Sequence, residues 1–291
     1  MRQMPYWKKL GVVIVENVRD SDIHFANVRS VGPRGKPIVQ RLDGIYYDSD
    51  TAYQHRNGKI SSTHRVASGV IYQSEYCKNA GEYYLDGRRG PHRVIYNGIE
   101  PGWAGERELS KHPTIVVSAK WRRHKRLPEI LKLFKDYRVV EPKATLYVMG
   151  DVGHKSGNGV KFLGHISYKQ MKQYFRKAWF SLHLSKRDAC PNSTVEAIGA
   201  GVPVITTNAC GGGTEMCEMT EGCVIVDGDD FTMKPVPHYR DEYNVLSKDL
   251  HMRLLGAMTG LPYLGLNVEM PEQLTAKYMA TQYIEFMKSL I

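Results

Sequence analysis

Short β-branched runs recur along the chain and alternate with segments of helical period. The runs include "GVVIVENV", "SDIHFAN", "KPIVQRLDG", "SGVIYQSE" and "HRVIYNG", followed by "TIVVSAK", "ATLYVMGD", "VKFLGHI", "WFSLHLS" and "GVPVITTN". Between several of them lie "RLPEILKLFKDY", "SYKQMKQYFRKA" and "STVEAIGAG", whose apolar residues return every three or four positions. Strands alternating with helices build parallel sheets joined by crossover helices, so the chain is expected to be an α/β protein.

The alternation pauses at "YNGIEPGWAGERELSKHP", rich in Gly, Pro and charge, which reads as an interdomain linker. The expected organisation is a first domain over 1–105, a second over 106–270, and a closing helix in 271–291, where Leu, Tyr, Met, Ile and Phe recur at helical spacing. A length of 291 residues with 42% hydrophobic and 24% charged content suits two compact domains. No apolar run approaches the roughly 20 residues of a membrane span, and "MRQMPYWKKLG" lacks a following signal-like segment. A cytoplasmic location is expected. Five cysteines, an odd number, fit free thiols better than a disulfide framework, and Cys210, Cys217 and Cys223 are too loosely spaced for zinc. The net charge of +10 favours a polyanionic partner such as nucleic acid or an acidic membrane surface, although enzymes of phosphorylated substrates share this property.

Ligands of open parallel sheets bind beyond the carboxyl ends of the strands. The stretch "DACPNSTVEAIGAGVPVITTNACGGGTE", from Asp188 to Glu215, sits at such a place. With "WFSLHLS" as strand and "STVEAIGA" as helix, Asp188 falls in the loop and Asn192 or Ser193 at the helix cap. The free amides of that terminus would face an anion. Glu196 falls one turn inside, where a carboxylate accepting two hydrogen bonds suits a vicinal diol. A capping arrangement with an ordinary surface Glu explains the same segment without a ligand.

The segment resembles the donor-binding segment of the retaining, family-4-type glycosyltransferases of the GT-B fold: an acid, seven residues, Glu-Ala, a small-residue stretch and "GVPVI". The wording D-x-C-P-N-x-x-x-E-A is a variant found in short members acting on surface glycans. Further landmarks follow in order: "YNGIEP", "YVMGD", "VKFLGHIS" and "NACGGGTEM". The resemblance covers 94 to about 225 well and the first domain weakly. It implies two Rossmann-like domains facing across a cleft, the first shortened.

Carried over residue by residue, the resemblance puts Lys120 and Lys125 on the donor diphosphate. Lys120 replaces an arginine of the family, so Arg122 or Arg123 would supply the lost bidentate contact. Glu196 matches the ribose-binding glutamate and Asp188 the acid on the transferred sugar. Asn192, Ser193 and Thr194 would meet sugar and phosphate oxygens through backbone amides, and His165 stands where the base-side loop begins. The family's cleft His-Gly has no counterpart; "VQRLDGIYYD" puts Asp43 and Gly44 there, which makes Asp43 the candidate cleft residue, a polar orienter of sugar or acceptor, the alternative being a plain salt bridge between Asp43 and Arg41.

The implied activity is sugar transfer, with retention and without a tightly bound metal, from a nucleotide-diphosphate sugar, expected to be uridine-linked. That donor is a co-substrate, and no cofactor is implied. The acceptor suggested by the charge in "GPRGKP", "DGRRGPHR" and "WRRHKR" is a hydroxymethylated pyrimidine in duplex DNA; a cell-surface polysaccharide or glycolipid is the alternative. A reading of another class is a non-catalytic basic binding module on a degenerate transferase fold. A dinucleotide oxidoreductase would need a Gly-x-Gly-x-x-Gly turn after its first strand, which the sequence lacks.

Overall fold

The computed structural model describes residues 4–15, 18–30, 35–85, 90–153 and 155–291. These divide into two compact units: one of 1–99, 233–237 and 272–291, the other of 100–232 and 238–271. The segment expected as a linker therefore straddles the boundary, with 96–99 in the first unit and 100–113 in the second, and the closing helix belongs to the first.

In the first unit, β1 (His24–Asn27), β2 (Ile38–Leu42), β3 (Gly69–Tyr72) and β4 (His92–Val94) form a parallel sheet in that order. Short helix α1 (Met4–Lys9) precedes them, and α2 (Tyr53–Val66) and α3 (Glu75–Tyr84) join β2 to β3 and β3 to β4. Ser74 caps α3 through the Cys77 amide at 2.9 Å. The strand expected over "GVVIVENV" is not formed by Val12–Val15, which lack regular structure; Val13 is 79% exposed.

The second unit holds β5 (Thr114–Ser118), β6 (Thr145–Met149), β7 (Val160–Gly164), β8 (Phe180–His183), β9 (Val204–Thr207) and β10 (Val224–Val226). All pairs are parallel, in the order β10-β9-β8-β5-β6-β7. Chain order runs outward in one direction from β5 and in the other from β8, the doubly wound arrangement, so the crevice between those strands is its topological switch point. The helices are α4 (Leu127–Val140), α5 (Tyr168–Lys177), α6 (Asn192–Gly199), α7 (Gly212–Glu218), α8 (Asp241–Asn244) and α9 (Lys248–Leu264). Ile115, Val117, Leu146, Val148, Phe180, Leu182 and Ile205 of the strands pack with Ile130, Leu133 and Phe134 of α4 and Leu254 and Met258 of α9. Both faces of such a sheet are covered, so its strands read as continuous apolar runs.

Helix α10 (Ala276–Lys288) starts on Thr275, whose hydroxyl accepts from the Tyr278 amide at 3.1 Å. Its Met279, Tyr283, Phe286 and Met287 join Val39, Ile71 and Ile95 in the first unit's core. Gly98, in "YNGIEP", has no room for a side chain: a Cβ would lie 2.4 Å from the Thr275 carbonyl oxygen.

Candidate functional site

Because the six strands are parallel, their carboxyl ends share one edge. Lys120 follows β5, His165 follows β7 and Asp188 follows β8. Gly150, just past β6, fixes the loop after β5. Its φ is +104°, and a Cβ there would lie 2.1 Å from the Ala119 carbonyl oxygen and 3.1 Å from Trp121, whose indole N–H donates to the Met149 carbonyl at 2.8 Å. Lys120 and Arg122 beyond this clamp are exposed, and their side chains have no partner among the described residues. Arg123 is committed elsewhere: both of its terminal nitrogens donate to Glu129 at 2.7 Å, and its Nε bonds Asp241. It is not a spare fork for a diphosphate, and of the two arginines Arg122 is the one left uncommitted among the described residues.

Lys125 ends a 3₁₀ turn over Arg123–Lys125, and its Nζ pairs with Asp188 Oδ2. The two ends of this pair belong to the loops after β5 and β8, so it spans the switch point. The Asp188 amide donates to the Cys210 carbonyl at 2.7 Å, and its carbonyl accepts from the Gly212 amide at 2.9 Å. Burial raises the Asp188 carboxyl, but Lys125 and His183 outweigh it and hold the group well below the usual carboxylate range.

His183, at the end of β8, lies 3.6 Å from Asp188 Oδ2 through Nε2, longer than a hydrogen bond, and meets the Ser193 hydroxyl through Nδ1 at 3.1 Å. Burial lowers its imidazole, favouring the neutral form. Gly213 makes room for this ring: a Cβ there would be 2.5 Å from Cys210 Sγ and 3.4 Å from His183 Cδ2. Sequence reasoning passed over His183, although a histidine inside the apolar run "WFSLHLS" was the available signal.

Helix α6 begins at Asn192 with Pro191 at the cap position and no side-chain cap, which corrects the expectation of Asn192 or Ser193 as the cap. Asn192 is exposed, Ser193 half-buried and Thr194 1% exposed, its hydroxyl without a partner among the described residues. Glu196 is buried one turn inside. Trp103 supports this helix from outside, its indole donating to the Glu196 carbonyl at 2.7 Å while its ring stacks on Tyr168 at 4.5 Å. His165 is exposed beyond β7, at the edge of the sheet.

Two further histidines were missed. His124 and His238 stack at 4.1 Å between ring centroids, with Tyr239 edge-on to both. Burial pushes the His124 imidazole down to about 2 and that of His238 to about 3, with neighbouring cations adding to both.

Asp43 stands beyond β2 in the first unit, ion-paired with Arg41. Arg41 also donates to Tyr283 Oη at 2.8 Å, Asn97 Oδ1 at 3.1 Å and Asn27 Oδ1 at 3.2 Å. Among the described residues no group of three or more His, Cys, Asp or Glu side chains is arranged to hold a metal. No described helix is long and apolar enough to cross a membrane.

Residues 104–233 match the family Glycosyl transferases group 1. No curated protein matches the chain. Among solved structures the chain is similar to Anabaena HepE in complex with UDP-glucose, with a TM-score of 0.60, 18% identity, and 87% of this chain and 72% of that one covered. It is similar also to the pneumococcal O-GlcNAc transferase GtfA in complex with UDP and GlcNAc, at TM-score 0.61 and 11% identity over 88% and 53% of the two chains. Sucrose-phosphate synthase from Thermosynechococcus elongatus gives 0.60 and 13% over 88% and 68%. The chain has the GT-B fold, and it spans about half the length of the pneumococcal transferase.

Proposed function

We propose that the chain is a retaining glycosyltransferase that takes its sugar from a uridine-diphosphate sugar. The observation that carries this reading is the Lys125–Asp188 pair across the switch point, with Lys120 and Arg122 beside it and the uncapped start of α6 following Asp188. In this reading Lys125, Lys120 and Arg122 bind the donor diphosphate together with the first-turn amides at Asn192 and Ser193, whereas the Thr194 amide already donates to the Pro191 carbonyl at 3.2 Å. Asp188 accepts from a hydroxyl of the transferred sugar, Glu196 from the ribose diol, and His165 borders the base.

As the bond from the anomeric carbon to the phosphate oxygen breaks, negative charge grows on the leaving diphosphate. Fixed cations and amides aimed there lower the barrier. The acceptor oxygen attacks from the same face, and its proton passes to the departing phosphate oxygen, so retention needs no protein base. The cations supply the charge that a divalent ion would otherwise contribute. Asp43, held by Arg41, is the proposed orienting group for the acceptor hydroxyl.

The proposed acceptor is a hydroxymethylated pyrimidine in DNA, supported by the net charge of +10. The basic stretches offered for this by the sequence fare unequally. Residues 32–34 and 86–89 of the first two lie outside the described residues, while in "WRRHKR" Arg123, Lys125 and Arg126 are each committed to a carboxylate. A cell-surface polysaccharide or glycolipid is the competing acceptor, favoured by the D-x-C-P-N-x-x-x-E-A wording. Incubation with a panel of nucleotide sugars, reading released nucleotide by mass, tests the donor. Release of uridine diphosphate supports the reading; binding without release in the presence of every acceptor would make the chain a binding module.

A further inference from the structure

Behind the Lys125–Asp188 pair lies a second, fully buried one. Arg126 is 0% exposed; its two terminal nitrogens donate to the two carboxylate oxygens of Asp229, the Nη2–Oδ1 bond being 2.9 Å. Its Nε donates to the Asn244 carbonyl at 2.8 Å. Lys186 reaches the same acid at 3.2 Å, donates to the Tyr243 carbonyl at 3.2 Å and lies 4.3 Å over the Tyr243 ring. The Thr207 hydroxyl adds a bond to Asp229 Oδ2 at 2.9 Å, and the Asn208 side chain pairs with the Asp229 main chain in both directions. Burial would raise the Asp229 carboxyl, and the hydrogen bonds and charge of Arg126 outweigh it.

Two cations buried on one carboxylate are an expensive way to hold a fold, because apolar side chains of the same volume serve as well. What the arrangement does secure is geometry. Arg126 has φ +58° and Arg187 has φ +54°, left-handed conformations that non-glycine residues adopt only when the surroundings impose them. Arg126 directly follows Lys125, and Arg187 directly precedes Asp188. Asp229 grips one corner through Arg126 and the other through Lys186, while Arg187 is tied down by the Thr232 carbonyl.

We infer that Asp229 is a positioning residue, which fixes Lys125 and Asp188 relative to one another by holding the two left-handed corners beside them. This rests on the donor-site reading for its functional consequence, but not for its geometry.

The test compares Asp229→Asn, which keeps the shape and removes the charge, with Lys125→Ala and the double variant. Lys186→Met, which removes one cation and leaves the Arg126–Asp229 pair, serves if Asp229→Asn does not fold. Two readouts are taken on folded protein: affinity for uridine diphosphate, and the imidazole nitrogen resonances of His183, which lies 3.6 Å from Asp188. Asp229→Asn is expected to weaken uridine diphosphate about 10-fold or more, to add no more than about twofold on top of Lys125→Ala, and to shift the His183 resonances. Lys186→Met should move both readouts the same way by less. Unchanged resonances and affinity with only a lowered Tm, or full multiplication of the two single effects, would overturn the inference. If the unaltered protein binds no uridine diphosphate, the donor reading fails and the His183 resonances decide the inference alone.

Discussion

Lys125 Nζ and Asp188 Oδ2 form an ion pair whose side chains are 17% and 15% exposed, joining the loops after β5 and β8. At this depth the pair is neither a surface contact of negligible weight nor a sealed one. In the proposed donor reading an incoming diphosphate competes for the ammonium, and the carboxylate it releases meets a sugar hydroxyl. Each residue therefore prepares the other for ligand.

Replacing Lys125 by Ala removes that ammonium and leaves Asp188 unpaired. Loss of one preorganised charge contact to the leaving group should lower kcat/KM by about 10²–10³-fold. Lys125→Arg should restore only part of it, since a planar fork does not reproduce a point charge. Glu196→Ala should weaken uridine diphosphate binding about 10-fold while leaving the fold cooperative. Steady-state kinetics and nucleotide titration check both; unchanged values in both variants would refute the assignment.

The stacked pair His124–His238 predicts acid sensitivity. Both imidazoles are held neutral, with folded values near 2 and 3 against 6.5 in the unfolded chain. The unfolded state therefore binds protons first as pH falls. Stability is fully present above about pH 6.5 and declines below it, each histidine contributing a slope of up to about 1.4 kcal/mol per pH unit. Thermal melts between pH 7 and 4 should show the decline, and His124→Phe should flatten it. Equal slopes in the two proteins would refute the prediction.

The alternation that makes the second unit doubly wound was legible because buried parallel strands are continuous β-branched runs, as in "TIVVSAK" and "GVPVITTN". It failed in two places: β10 went unread although the equally short β4 was found in "HRVIYNG", and Val12–Val15 show that a Val/Ile run without a pairing partner is no strand. At the candidate site, Asp188 was placed in the loop after β8 by the strand-to-helix pattern, Lys125 came from the family resemblance, and the start of α6 was read one or two residues late at its cap. Arg126 was not legible. In "WRRHKRL" it looks like any residue of a solvated basic helix start, and its partner Asp229 is 103 residues away. Non-local ionic pairs leave no periodicity, and the same is true of His124 with His238.

Gly150 offers a test of loop placement that spares every charged residue. A Cβ there would meet the Ala119 carbonyl at 2.1 Å, and the φ of +104° is strained for any L side chain. Gly150→Ala should cost about 1–3 kcal/mol. By displacing residues 119–121 it should also weaken donor binding more than an equally destabilising change in the α9 core, such as Met258→Ala. Equal donor affinity in the two variants would show that the loop carries no ligand contact.

Transfer is expected to continue in excess chelator. In the proposed reading, Lys120, Arg122, Lys125 and the start of α6 supply positive charge where the leaving diphosphate would develop its negative charge. Activity should stay within about twofold of the untreated enzyme, because a group whose charge is already neutralised gains little from a divalent ion. Abolition by chelator and restoration by a divalent cation would assign part of that charge to a metal.

The acceptor is separated by salt. A duplex whose phosphates are neutralised by lysine and arginine releases counterions, so log K falls against log salt with a slope of roughly −0.9 per phosphate contact. With Arg123, Lys125 and Arg126 engaged by Glu129, Asp188 and Asp229, those three contribute little to such a slope. Arg123→Gln should therefore change the slope by much less than one unit. If the cations that remain, Lys120 and Arg122 among them, bind duplex, Arg122→Ala should reduce the slope by about one unit. Sugar transfer to hydroxymethylated DNA at low salt, lost steeply as salt rises, would support the DNA acceptor. Transfer to a neutral oligosaccharide would be almost insensitive to salt. Duplex binding that is undetectable even at low salt would exclude the DNA acceptor and leave the donor chemistry at Lys125 and Asp188 standing.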